Sequence, residues 1–409
     1  MNILMISDVY YPRINGVSTS IATFRRELHA QGHQTLLLAP QYPGYTEPED
    51  GIIRVTSRYL PFDPEDRVMR TDRLLKCMRS LPAARFDIVH VHTPFQAHRA
   101  GVRFARRHHL PVIETYHTFF EEYFHHYLPL LPDAWLRLAA RALSRRLGKR
   151  LDAFIVPSRA VEQALNRYGI RIPVHIIPTG LDLAEFTPGD KRRFCQRHKL
   201  ATHRPTLVYV GRVAHEKNIG FLLDVVDRLR QELPEVLLVI AGEGPASGAL
   251  QRRATQLRLT DNVAFVGYLP RGQPLWDCYA AGDAFVFASK TETQGLVLLE
   301  ALALGVPVVS TAKFGSCDVL KGCGGTLLAQ SNVADFTAQA LRLLRDPELR
   351  RFLSEQARTD VLHWSIEHTT AKLVAYYASL IEDSESAGGP LADAAVALGK
   401  VLGPDVSEQ

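Results

Sequence analysis

Glu292 and Glu300 are two carboxylates with seven residues between them, in the string Ser289-Lys290-Thr291-Glu292-Thr293-Gln294-Gly295-Leu296 that runs on to Gly305-Val306-Pro307-Val308. An apolar run ends near Ala288, a loop carries Glu292, and a helix starts near Gln294. That helix is otherwise Leu, Val and Ala, so Glu300 is a carboxylate in an apolar setting, which is costly unless the group is well partnered. Ribose or sugar hydroxyls would serve as partners, and so would a structural arginine or a capped neighbouring helix. The free N–H groups at the helix start, around Gln294, Gly295 and Leu296, suit phosphate or sugar oxygens.

A second pair of charges lies upstream. The run 206–210 delivers Gly211-Arg212 at its carboxyl end, and Glu216-Lys217-Asn218 follows just before a helical stretch. Glycine at a strand end lets a ligand approach the backbone. Arg212 and Lys217 together suit a diphosphate, one by bidentate contact and the other as a point charge. The competing reading is an ordinary Arg and Lys on a surface loop.

The elements that must position these groups follow from the apolar pattern. Short apolar runs at 3–7, 34–39, 87–91, 111–115, 153–157 and 174–177 alternate with amphipathic stretches at 18–31, 95–109, 133–149 and 158–168, the signature of βαβ units on a parallel sheet. The alternation breaks over 178–204 and restarts with 206–210, 236–241, 263–266, 284–288 and 307–310. Two doubly wound α/β domains are therefore expected, with ligands at the carboxyl ends of the strands and a cleft between facing sheets. The expected units are 1–180 and 181–364. A helix at about 365–381 is expected to pack back on the first, and 382–409 to form a flexible tail rich in Ala, Gly, Ser and acids.

Composition narrows the class. A length of 409 residues suits two domains, and 46% hydrophobic with 22% charged residues suits a packed chain and not a disordered one. The formal charge of +5 is too small to imply nucleic acid. Five scattered cysteines without a CxxC fit a reducing compartment. The start, Met1 to Asp8, has no basic n-region and is expected to be a first strand, not a signal peptide. The stretch 295–312 is interrupted by Glu300, Gly305 and Pro307, so no membrane span is expected, and the chain reads as cytoplasmic.

Taken together, Glu292-x7-Glu300 with Gly305-Val306-Pro307-Val308, Gly211-Arg212…Glu216-Lys217-Asn218, and the loop Tyr11-Pro12-Arg13-Ile14-Asn15-Gly16-Val17 resemble the family 4 retaining glycosyltransferases of GT-B fold. Ser158 and Gly180-Leu181-Asp182 also fit. The resemblance implies two facing Rossmann-like domains and a nucleotide-sugar donor in the cleft. It implies that Glu292 binds hydroxyls of the donor hexose and Glu300 the ribose. Arg212 and Lys217 would neutralise the leaving diphosphate. Gly16 and the backbone near Gln294, Gly295 and Leu296 would approach the phosphates or sugar, and His117 in Thr115-Tyr116-His117-Thr118 would be the active-site histidine. No Asp-x-Asp metal motif stands where a diphosphate would need one, so neither metal nor other cofactor is expected. With no nucleophile apart from Glu292, retention by front-side attack is expected.

Two positions depart from the family pattern: Gln294 replaces its common aromatic, and Thr179 replaces the usual Asn before Gly180. Gly242-Glu243-Gly244-Pro245 lacks the third glycine of a dinucleotide loop, and Pro245 removes a donor, so NAD binding is not expected. The pairs His90/His92 and His125/His126 complete no metal set.

Residues 99–150 hold ten Lys and Arg against four acids, a net +6 that exceeds the charge of the whole chain. Trp135, Leu136, Leu138, Ala139, Ala142, Leu143 and Leu147 alternate helically with Arg137, Arg141, Arg145 and Arg146, and 119–131 is rich in aromatics. A basic helix beside aromatics suits an anionic membrane surface; the alternative is a stripe facing the sheet with solvated arginines. His92-Thr93-Pro94-Phe95 and Thr115 to Tyr123 resemble the diacylglycerol glucosyltransferase branch. That implies a peripheral enzyme on the inner face of the cytoplasmic membrane, moving hexose from UDP-glucose to diacylglycerol. The alternatives are transfer to a phosphoinositide, a polysaccharide or a lipopolysaccharide, and a non-enzymatic binding module on the same scaffold.

Overall fold

The computed structural model describes residues 1–45, 50–60, 63–117 and 133–401. The first half runs β1 (Asn2–Ile6), α1 (Gly16–Ala30), β2 (Gln34–Pro40), β3 (Ile52–Val55), β4 (Ser57–Leu60), β5 (Asp63–Met69), α2 (Thr71–Ser80), β6 (Ile88–Val91), α3 (Gln96–His108), β7 (Val112–Thr115), α4 (Asp133–Gly148), β8 (Ala153–Val156), α5 (Arg159–Tyr168) and β9 (Val174–Ile176). The second runs α6 (Lys191–His198), β10 (Thr206–Val210), α7 (Ile219–Leu229), β11 (Leu237–Ala241), α8 (Ser247–Gln256), β12 (Val263–Gly267), α9 (Gln273–Ala281), β13 (Ala284–Phe287), α10 (Leu296–Ala303), β14 (Val308–Ser310), α11 (Ser316–Leu320), β15 (Thr326–Leu328), α12 (Val333–Arg345), α13 (Pro347–Asp360) and α14 (Ile366–Val401).

Two parallel sheets result, in the orders β3-β2-β1-β6-β7-β8-β9 and β12-β11-β10-β13-β14-β15, while β4 and β5 pair as an antiparallel hairpin. β6, β7, β8, β10, β11 and β13 are buried along their whole length, because helices cover both faces of each sheet. In both sheets the strand order reverses beside the first strand, where a crevice opens at the carboxyl ends.

The chain passes between the sheets twice, at one place. The Leu181 N–H donates to the Trp364 carbonyl, and the Ile366 N–H donates to the Leu181 carbonyl, both at 2.8 Å. α14 then returns to the first domain: Ile366, Leu373 and Tyr377 are buried with Ile3 and Met5 of β1 and with Ile21, Phe24 and Leu28 of α1. α14 continues to Val401, across most of the segment read above as a flexible tail.

Gly180 is required by this crossing. A Cβ there would lie 2.3 Å from Thr369 Oγ1 and 2.6 Å from Ile366 Cα, and the second is backbone that cannot rotate away. Gly180→Ala is expected to destabilise by about 1–3 kcal/mol through overpacking. A lowered urea midpoint would register it; an unchanged midpoint would show that the crossing can shift without penalty.

Candidate functional site

The loops at the carboxyl ends of β10, β11 and β13 are locked by backbone contacts before any ligand is considered. The Val213 N–H donates to the Glu243 carbonyl at 2.9 Å, and the Ala246 N–H to the Val213 carbonyl at 3.0 Å. A Cβ on Gly242 would lie 1.9 Å from the Gly211 oxygen, and one on Gly244 would lie 2.4 Å from the Val213 oxygen. The glycines of Gly242-Glu243-Gly244 therefore serve close approach of one loop to another. They hold the Gly211–Val213 turn, and with it Arg212, at the edge of the cleft.

Lys217 ends a short 3-10 turn, His215–Lys217, that is closed by Asn218 in the left-handed region. The Asn218 amide donates to the Ala288 carbonyl at 3.3 Å, tying the turn to the end of β13. Lys217 Nζ then meets Glu292 Oε1 in an ion pair. Arg212 is exposed and meets no carboxylate among the described residues. The two cations are thus in different states: Lys217 is already oriented by Glu292, while Arg212 is available to an incoming anion.

The Glu292 loop is pinned from within its own domain. The Gly315 N–H donates to the Glu292 carbonyl at 2.8 Å, and a Cβ on Gly315 would lie 2.0 Å from the Thr293 oxygen. Gly295 takes φ +93° and opens α10, leaving the N–H groups of Leu296 and Val297 without helical acceptors, while the Leu298 N–H donates to the Gly295 carbonyl. The Gln294 side chain turns away from the cleft and leaves its backbone as the part expected to approach a donor. It is buried, and both amide atoms bond the backbone of Thr179.

Glu300 is buried, as its apolar helix requires, and its two oxygens are engaged. Arg271 donates to Oε1 at 2.6 Å and the Tyr279 hydroxyl to Oε2 at 2.8 Å. The alternative of a structural arginine is therefore realised. A carboxylate has about four lone-pair sites, so two remain for hydroxyls of a ligand. Arg271 lies over the rings of Phe186 and Trp276 and also pairs with Glu185 at 3.4 Å. Sequence reasoning missed Arg271, Tyr279 and Glu185. The one signal pointing to Arg271 was the need of a buried Glu300 for a cation.

Across the cleft stands His117, whose carbonyl accepts from Thr293 Oγ1 at 3.4 Å. Its Nε2 faces His92 Nδ1 at 3.4 Å, His92 stacks on His90 with ring centroids 4.0 Å apart, and His90 bonds Thr115 at 2.7 Å and Tyr377 at 2.5 Å. Burial pushes the imidazoles down, His117 to about 4, His90 to about 3 and His92 well below its ordinary value. All three are neutral at pH 7, so His117 acts as a hydrogen-bonding group and not as a cation. Gly16 opens α1 behind Asn15, whose Oδ1 accepts from the Ser18 N–H at 2.9 Å. A Cβ on Gly16 would meet nothing within 4 Å, so internal packing does not demand glycine there.

The structure thus brings Arg212, Lys217, Glu292, Gly295, Leu296 and Glu300 to one edge of the second sheet, with His117 reaching the Glu292 loop from the first. Among the described residues, no group of three or more His, Cys, Asp or Glu side chains could hold a metal ion. None of the described helices is long and apolar enough to cross a membrane. On α4, Leu136, Ala140, Ser144 and Leu147 face inward, while Trp135 and Leu138 are 71% and 69% exposed. Several of the segment's arginines have structural partners; among them, Arg106 pairs with Asp152, Arg141 lies over Tyr168, and Arg145 bonds the Tyr168 carbonyl. Residues 119–131 lie outside the described residues.

Two doubly wound domains with a cationic, carboxylate-bearing cleft define a GT-B transferase. Residues 14–185 match the model of Glycosyltransferase Family 4, and residues 190–360 that of glycosyl transferases group 1. The chain belongs to the family 4 glycosyltransferases. It is 34% identical over 319 residues to the alpha-monoglucosyldiacylglycerol synthase of Streptococcus pneumoniae, covering 76% of this chain and 71% of that protein. It is 30% identical over 328 residues to a GDP-mannose-dependent alpha-mannosyltransferase of Mycobacterium tuberculosis, covering 78% and 81%. The sucrose-phosphate synthase structure from Thermosynechococcus elongatus superposes with a TM-score of 0.74 at 21% identity, over 93% of this chain and 99% of that one, a likeness of fold.

The neutral histidines set a pH dependence. An imidazole with pKa near 6.5 when unfolded and about 3–4 when folded binds its proton preferentially in the unfolded state. Stability is then full above pH 6.5 and falls below it, by about 1.4 kcal/mol per pH unit for each such histidine. Asp8 acts in the opposite sense, because burial pushes its carboxyl up to about 6, and it offsets one histidine below that pH. Urea midpoints are expected to fall from pH 6.5 to 5. A flat or rising profile would contradict the buried imidazole stack.

Proposed function

We propose that the chain is a retaining, metal-independent glucosyltransferase that moves glucose from UDP-glucose to diacylglycerol. The observation that carries the transfer chemistry is the Lys217–Glu292 pair set against Arg212 on one side and His117 on the other. Breaking the bond between sugar and diphosphate develops positive charge on the sugar and negative charge on the diphosphate. Arg212 and Lys217 take the negative end, where a preorganised donor is typically worth on the order of 10²–10³ in rate. Glu292, already held by Lys217, accepts from hexose hydroxyls. Glu300 accepts from ribose hydroxyls while Arg271 and Tyr279 keep it in place. His117, neutral, hydrogen-bonds the sugar face turned toward the first domain. With Glu292 engaged by Lys217, the acceptor hydroxyl attacks from the side of the departing diphosphate and gives its proton to the leaving phosphate oxygen as the sugar–phosphate bond breaks, which retains configuration. The two cations do the charge work for which other sites use a metal.

The acceptor assignment draws on the pneumococcal relative and on the outward Trp135–Leu138 face of α4 with the exposed Arg146 on the same helix. Such a face suits an anionic membrane surface, and we place the enzyme peripherally on the inner face of the cytoplasmic membrane. The mycobacterial relative favours a second reading, mannosyl transfer from GDP-mannose to a lipid or polysaccharide acceptor.

The test is mass spectrometry of dioleoylglycerol in anionic vesicles incubated with the protein and, separately, UDP-glucose, UDP-galactose and GDP-mannose. A monohexosyl product with UDP-glucose is expected, together with flotation of the protein on those vesicles. Transfer to a soluble sugar without vesicle binding would overturn the lipid reading, and product with GDP-mannose alone would favour the second.

A further inference from the structure

Gln294 and Thr179 are the two positions at which this sequence departs from its family pattern, and they are bonded to each other across 115 residues of chain. The Gln294 Nε2 donates to the Thr179 carbonyl at 2.7 Å, and the Thr179 N–H donates to Gln294 Oε1 at 2.9 Å. Both residues are buried, so the amide replaces water for two backbone groups at once. The Thr179 hydroxyl then donates to Ser20 Oγ at 2.8 Å, which reaches α1 four residues beyond Gly16.

The two ends of this strap are the informative part. Thr179 immediately precedes Gly180 and Leu181, where the two interdomain crossings pair with each other. Gln294 lies two residues after Glu292 and directly before Gly295, which opens the helix that carries Glu300. Gly315 holds the same loop from inside the second domain. The loop is therefore clamped between its own domain and the crossing.

We propose that Gln294 is a positioning residue: its side-chain amide makes the Glu292–Leu296 loop one unit with the interdomain crossing, so that the donor-facing carboxylate and helix start are set by domain placement. An aromatic side chain could pack there, but it could not bond both the N–H and the carbonyl of Thr179. The strap thus aligns Glu292 and the N–H groups of α10 without touching donor. Its kinetic consequence rests on the transfer reading above and is independent of which acceptor is used.

The test compares Gln294→Glu with Gln294→Leu. A protonated glutamate can donate to the Thr179 carbonyl and accept from its N–H, as the amide does, whereas an ionised one has no proton to give and repels that carbonyl. The readout is release of nucleoside diphosphate from whichever of UDP-glucose, UDP-galactose and GDP-mannose the wild type consumes, as kcat and KM from pH 8 to 5.5. Q294L is expected to lose at least tenfold in kcat at every pH, with donor KM within threefold. Q294E is expected to match that loss at pH 8 and to recover toward wild type, as a ratio, as the pH falls. A wild-type kcat in Q294L, or a Q294E ratio that stays flat with pH, would overturn the proposal. Hydrogen exchange supplies an arm that needs no turnover: residues 179–181 and 292–296 should exchange faster together in Q294L, or in Q294E at pH 8 should Q294L not fold. Faster exchange confined to 179–181 would overturn the strap, while a wild type that consumes no nucleotide sugar would defeat the transfer reading instead.

Discussion

The paired crossings at Leu181 and Ile366 are the constraint from which the rest of the molecule follows. Two parallel sheets each expose a crevice at the carboxyl ends of their strands, and those crevices make one site only when the sheets face each other. Two connections lying side by side, joined by reciprocal backbone hydrogen bonds, leave one hinge line and fix which edges meet. Gly180 allows the backbones to approach, Thr179 passes the contact to the Glu292 loop through Gln294, and α14 carries it back over α1. A second chain of contacts runs in parallel: Arg26 of α1 pairs with Asp182 and Glu185, and Glu185 pairs with Arg271, which holds Glu300.

Electrostatics divide the cleft along the same line. The second domain supplies charge: Lys217 against Glu292, Arg271 against Glu300, and Arg212 exposed at the mouth. The first domain supplies neutral hydrogen-bonding groups, because burial strips the proton from the His90–His92–His117 stack. That division puts the charged partners of the cleft on one domain and its neutral hydrogen-bonding groups on the other. Buried Glu300 and half-buried Glu292 are each met by a cation whose own position is fixed, Arg271 by aromatic packing and Lys217 by a short turn closed at Asn218.

Much of this was legible in the sequence, for physical reasons. Strands buried on both faces write uninterrupted apolar runs, so β1, β6, β7, β8, β10, β11 and β13 were evident. The edge strands β3 and β15 have four and three residues, one with Arg54 inside it, and left no such run. Glu300 stood out because a carboxylate in an apolar helix needs a partner, and Arg212, Lys217 and Glu292 because they are charged residues in loops that follow apolar runs. Arg271 and Tyr279 were not, because their partner lies 29 and 21 residues away and no local spacing records it. Gln294 was noticed as a departure, with its backbone expected near the donor and no role assigned to its side chain. Only the fold shows that its amide turns away, toward a backbone segment from the other domain.

The central claim is that the cleft collects the donor on the second domain, with Arg212 and Lys217 on the diphosphate and Glu300 on the ribose. A crystal structure with a bound nucleoside diphosphate measures this directly. The account predicts phosphate oxygens within hydrogen-bond distance of Arg212 and Lys217, ribose hydroxyls on Glu300, and Arg271 still paired with it. A diphosphate lodged away from both cations, or a ribose held elsewhere, would contradict it.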